Sequence, residues 1–422
     1  MKKLLLTILL GLFALNMQAA FILIPMDNTQ SNHLKSYGIA YFVLTNDIEV
    51  SWLLNYRGGS FMFPHHRVFE EELMARGVSY QIVADVQAAS IINKVNDPDI
   101  NMSEIKLHKV PKIAVYTPPN SLPWDDAVTL ALTYAEIPYD AIYDEEILNG
   151  VLPLYDWLHL HHEDFTGQYG KFWFAYRNAP WYQEEVRLAE EKARRFGYSR
   201  VADLKLDVAK KIQQFVAGGG YLFAMCSAPE SLDIALAAEG VDIVHEVFDG
   251  TPMDPNAQEK LDFSRTFAFH NFKIETSPYE YSKSDIDVPK TGRDQRSDFF
   301  TLFEFSAKWD PVPTMLTQNH QTVIKGFMGQ TTAFRMHTIK PTVTILGETR
   351  AKNEARYIHG VYGQGTFTFY GGHDPEDYRH FVGDPPTDLE LHPNSPGYRL
   401  ILNNVLFPAA KKQKQKTLLF TL

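Results

Sequence analysis

Residues 218–231 read GGGYLFAMCSAPES, and this run constrains the fold more than any other part of the chain. Three glycines make a turn, five apolar residues make a strand, and Cys226 stands where that strand must bend into a helix. A side chain mounted there is held above a sheet and beside a helix N-terminus, where a thiolate is favoured. Cysteine also packs well as a small apolar residue, so position alone leaves both roles open. Cys226 is the only cysteine, which excludes an intramolecular disulfide and leaves stability to the core.

The first residues bear on location. Lys2 and Lys3 precede the run LLLTILLGLFAL, and Ala19 and Ala20 follow it, the pattern of a signal peptide over residues 1–20. The run is short for a bilayer span, which takes about 20 apolar residues. The expected location is therefore periplasmic or secreted, with no membrane span in the mature chain. Acidic residues outnumber basic ones, 51 to 40, for a net charge of −11, which disfavours nucleic acid as a partner. The lysines of residues 411–422 are expected to form a solvated basic tail.

Apolar runs of strand length alternate with helical periodicity, the pattern of an α/β fold with a largely parallel sheet. FILIPM (21–26), KIAVYTPP (112–119) and YDWLHLHH (155–162) read as strands. HLKSYGIAYFVL and Ile48–Leu54 read as helical or mixed, and GGSFMFP as a break. The charged run WYQEEVRLAEEKARRF (181–196) reads as a helix inserted over the site. Val201, Leu204, Val208, Ile212 and Phe215 make one apolar helical stripe that stops at Gly218. VDIVHEVF (241–248) is expected to re-enter the sheet, with TFAFHNFKIE and FFTLFEF as later short strands.

The elbow, the late segment RYIHGVYGQGTFTFYGGHDPEDY and the closing LILNNVLF together resemble the class I glutamine amidotransferase-like superfamily, particularly its trehalose-utilisation-like branch. That resemblance implies a flavodoxin-like doubly wound parallel sheet over residues 106–250 and 341–410, with a β-rich insertion or lid at 251–340. Residues 21–105 are expected to form an N-terminal α/β segment packed on the main sheet. The resemblance also implies a Cys226–His373 pair oriented by Glu376, which lies three residues after the histidine where the family has its acid two residues after. Asp374 is the alternative orienting acid. The whole chain is similar to an exported bacterial family labelled asparagine synthetase B. It lacks both an N-terminal cysteine nucleophile and the SGGxDS loop that such a synthetase needs for ATP.

A Cys226–His373 pair permits thiol-dependent amide hydrolysis, with the Ser227 backbone N–H and a group near Pro118 and Pro119 meeting the oxyanion. A second cluster is HLHHED, where His159 and His161 share one strand face. With Glu163 they make a possible zinc site; otherwise His159, His161, Glu163 and Asp164 are candidate contacts for a polar substrate. Arg57 is a candidate clamp for a substrate carboxylate. Trp157 and the aromatic residues 172–176 suit a ligand platform or the core. The expected partner is a small molecule, peptide or glycan substrate; no cofactor other than zinc is expected. The alternatives to a thiol enzyme are a non-catalytic carbohydrate- or peptide-binding protein and a zinc-dependent hydrolase.

Overall fold

A computed structural model describes residues 20–118 and 125–410. The expected signal peptide (but for Ala20), the basic tail and Pro119 lie outside the described residues. The first five strands are β1 (Ala20–Ile24), β2 (Val50–Leu54), β3 (Ser60–Pro64), β4 (Gln81–Ala84) and β5 (Ser103–Leu107). They form one antiparallel sheet in the order β4-β1-β3-β2-β5. The segment expected to break the pattern at 58–64 is thus a turn and a strand. Gly58 and Gly59, both at positive φ, make the turn, and Phe61 and Phe63 sit in the core. β2 is likewise a strand where a helical or mixed segment was expected. All five of its residues are buried, so it lacks the polar–apolar alternation that marks a half-exposed strand.

The second sheet holds β6 (Ile113–Tyr116), β7 (Asp140–Ile142), β8 (Trp157–Leu160), β9 (Tyr221–Met225), β10 (Phe299–Leu302), β11 (Val323–Lys325), β12 (Phe334–Arg335), β13 (Thr344–Thr349), β14 (Glu354–Tyr362) and β15 (Gly365–Tyr370). Its order is β11-β10-β13-β14-β15-β9-β8-β6-β7, with β12 on β14. From β15 to β7 all neighbours are parallel, and from β11 to β15 they are antiparallel. The architecture is mixed α/β, a ten-stranded mixed sheet beside a smaller antiparallel one.

The helices of eight residues or more are α1 (His33–Thr45), α2 (Arg67–Ala75), α3 (Asp85–Asn96), α4 (Ala127–Tyr134), α5 (Pro180–Arg195), α6 (Val201–Ala217), α7 (Ala228–Ala237) and α8 (Pro396–Leu406). One core joins Trp52 and Phe61 of the small sheet to Trp157 and Phe223 of the large one through α1, α4 and α8. A second core lies on the other face of the large sheet, under α6 and α7. The stripe Val201, Leu204, Val208, Ile212 and Phe215 is the buried side of α6. Among the described residues no helix is long and apolar enough to cross a membrane.

Two expected strands are absent, and in each case carboxylates take the backbone donors that a ladder would use. Asp242 accepts from the Val244 N–H and Asp254 from the Asp242 N–H, so residues 241–248 run as coil into a short helical turn. Asp233 accepts the N–H groups of Phe267, Ala268 and Phe269, which holds that apolar run outside the sheet.

Candidate metal centre

In a sheet of parallel strands the crevice for ligands lies beyond the C-terminal ends. Here β6 leads to Asp125 and Asp126, β8 to His161, His162 and Glu163, β9 to Cys226, and β15 to His373. The Cys226 N–H donates to the Gly372 carbonyl at 3.1 Å, so the thiol and His373 stand on adjacent strand ends.

Five histidines, His159, His161, His162, His373 and His380, meet there with Asp125 and Asp126. His161 Nε2 and His373 Nδ1 are 3.0 Å apart, and the His373 ring stacks on His380 with centroids 4.4 Å apart. The possible ligand atoms of His161, His162 and His373 lie within 4.8 Å of one another, and so do those of Asp125, His373 and His380. His373 belongs to both sets. Two nitrogens bound to one zinc at about 2.1 Å stand roughly 3.0–3.4 Å apart, and the His161–His373 spacing falls in that range.

Asp126 organises the cluster from below. It caps α4, accepting the N–H groups of Val128 and Thr129. Its two oxygens lie 3.2 Å from His159 Nε2 and 3.6 Å from His161 Nδ1. Burial alone would raise its pKa, but the neighbouring His159 and His161 hold the carboxyl well below the usual range. The His161 contact is an ion-pair distance and not a hydrogen bond; a carboxylate on that side of a ring favours the tautomer that leaves the other nitrogen free for a cation. Asp125 Oδ1 stands in the same relation to His380 Nε2, at 3.1 Å.

Three of the imidazoles, those of His161, His162 and His373, are held toward the neutral form, the one that binds metal. Burial pushes His161 down to about 4 against the pull of Asp126. Burial, with the other imidazoles adding, pushes His162 and His373 well below the ordinary value. His373 Nε2 is closed to solvent without a protein hydrogen-bond partner, a costly state for a polar atom.

The thiol has a different environment. Cys226 has φ +52°, a conformation that a non-glycine residue adopts only under constraint. Its Sγ accepts the Gln330 N–H at 3.3 Å, and burial raises its pKa. Among the described residues no hydrogen bond joins Cys226 to His373, whose Nδ1 faces His161. Ser227 is buried, its Oγ without a hydrogen-bond partner.

The other expected residues divide. His159, His161 and Glu163 lie at the cluster. His159 Nδ1 is 3.2 Å from the Phe223 carbonyl. Glu163 accepts the His161 N–H, and burial raises its carboxyl to about 8. Asp164 folds its own loop, accepting from Thr166 and Gly170. Glu376 Oε2 lies 3.4 Å from His392 Nδ1, while Asp374 binds the Tyr398 hydroxyl. Arg57 pairs with Asp27 at 2.7 Å at the turn of the small sheet. Trp157 stacks on His159 and Phe223 in the core. Sequence reasoning missed Asp125, Asp126 and His380; the first two stand at the N-terminal end of α4, and His380 sits in a loop without periodicity.

No family model matches the chain, and no curated protein matches it. Two cytoplasmic proteins from Salmonella typhimurium are similar in structure at 10 % and 11 % identity, over 72 % and 71 % of this chain and all of theirs, with TM-scores of 0.34 and 0.35. A β-galactosidase from Bacillus circulans sp. alkalophilus is matched over 63 % of this chain and 29 % of its own, at 14 % identity and a TM-score of 0.27. Likeness at this level carries no functional argument.

Proposed function

We propose that this protein is a metal-dependent hydrolase that holds a zinc-like cation on His161, His162 and His373. The observation that carries this reading is the convergence of those three neutral imidazoles, buried at the strand ends, with Asp126 behind His161. A cation held by these residues would supply Lewis-acid polarisation of a carbonyl and would activate water near neutral pH. Imidazole and carboxylate donors suit zinc. Protein retaining about one zinc per chain after desalting is the expected result of elemental analysis, with His373→Ala and His161→Ala losing it and Cys226→Ser keeping it. Failure of the wild type to bind added zinc would overturn the reading.

A second reading is supported by the strained elbow at Cys226. In it the chain is an exported member of the class I glutamine amidotransferase-like superfamily, with Cys226 hydrolysing an amide. The parallel strands, taken in chain order, run 2-1-3-4-5 across the sheet, the order of flavodoxin-like doubly wound folds, and this supports the fold half of that proposal. The position of the His373 ring nitrogens favours the metal.

A further inference from the structure

Beside the histidine cluster lies a cavity of about 290 Å³, walled on one side by α5 and lined by His162, Glu163, Tyr169, Phe172, Glu185 and Lys205 among others. Its cations are already engaged. Lys205 Nζ sits 2.9 Å from Asp144, Lys192 lies 3.1 Å from the same carboxylate, and Arg195 pairs with Glu145. Three lining carboxyls have no cation partner: Asp164, which the Thr166 and Gly170 N–H groups satisfy, and Glu163 and Glu185. Among the described residues neither Glu163 nor Glu185 has a lysine or arginine within ion-pair distance, and Glu185 Oε2 is closed to solvent with no hydrogen-bond partner. A buried carboxyl in that state takes up either a cation or a proton; accordingly burial raises Glu185 to about 7. Tyr169 and Phe172 add aromatic rings to the lining, a residue type that attracts an ammonium.

We propose that this cavity binds a small molecule bearing a primary ammonium, such as an amino sugar, with the ammonium at Glu185 and the rest of the ligand reaching His162. Its role as a substrate site rests on the metal-hydrolase reading; its binding chemistry does not. The size suits one sugar ring, being at the low end for ligand pockets, and the pairing of the local cations disfavours an anionic ligand.

Calorimetric titration of the full chain with D-glucosamine and with D-glucose, which differ by one amine, tests the proposal. Glucosamine is expected to bind at least about tenfold more tightly, and Glu185→Gln to abolish the difference without changing zinc content. Equal binding, binding of neither sugar, or a preference that survives Glu185→Gln would overturn it. A preference in protein that takes up no zinc supports the cavity and refutes the metal reading; zinc uptake without a preference does the reverse.

Discussion

At Cys226 two opposing effects bear on one atom. The elbow places the thiol at a helix start, which favours thiolate, but burial raises its pKa and no imidazole is bonded to it. The structure favours the burial effect, so iodoacetamide should label Cys226 slowly at neutral pH, at the same rate in His373→Ala. Fast labelling with a midpoint below the ordinary value of about 8.5 would restore the thiol as nucleophile. The sequence displayed Cys226, His159, His161 and His373 as chemically able residues, because residue type is visible without a fold. It could not display Asp125 or His380, which join the cluster from loops far apart in the chain and come together only at the strand ends.

At the scale of elements, legibility followed exposure. The stripe on α6 was readable because one side of that helix meets the core and the other does not. β2 was not, because burial on both faces removes the alternation. The segments around 243 and 268 have the composition of strands, yet carboxylates occupy their donors. Asp233 is fully buried, and three backbone N–H groups depend on it. Asp233→Ala should therefore destabilise the protein by on the order of 3 kcal/mol, as a lower urea midpoint with an unchanged slope. A loss below about 0.5 kcal/mol, the size of an ordinary surface change, would mean that water replaces the carboxylate.

For the molecule as a whole, the joint between the sheets adds to the response to acid that the neutral imidazoles of the site already give. Arg399 is buried there, donating to the carbonyls of Met26 and Gly58, beside the stacked rings of His33 and His320. Burial first, and then the charge of Arg399, hold His33 down at about 4; burial, His33 and Arg399 hold His320 at about 3. A folded-state pKa below the unfolded value of about 6.5 means that the contribution is complete above that pH and is lost as pH falls toward 4. His33 alone should cost on the order of 2 kcal/mol over that window. Urea unfolding at pH 7 and pH 4.5 should show the drop, and His320→Phe, which keeps the stacked ring, should recover part of it. A flat profile would show that these imidazoles titrate normally.

What the sequence by itself determined is local: an α/β alternation, a strand that turns into a helix at Cys226, a helix with one apolar side, and a histidine-rich strand end. These follow from periodicity and residue chemistry, which need no partner. Only the tertiary structure decided which strand ends share a crevice, that His373 faces His161, and that Glu376 and Arg57 are engaged elsewhere. The physical reason is that a site is made of distances between residues hundreds of positions apart, and those are fixed by strand order and packing.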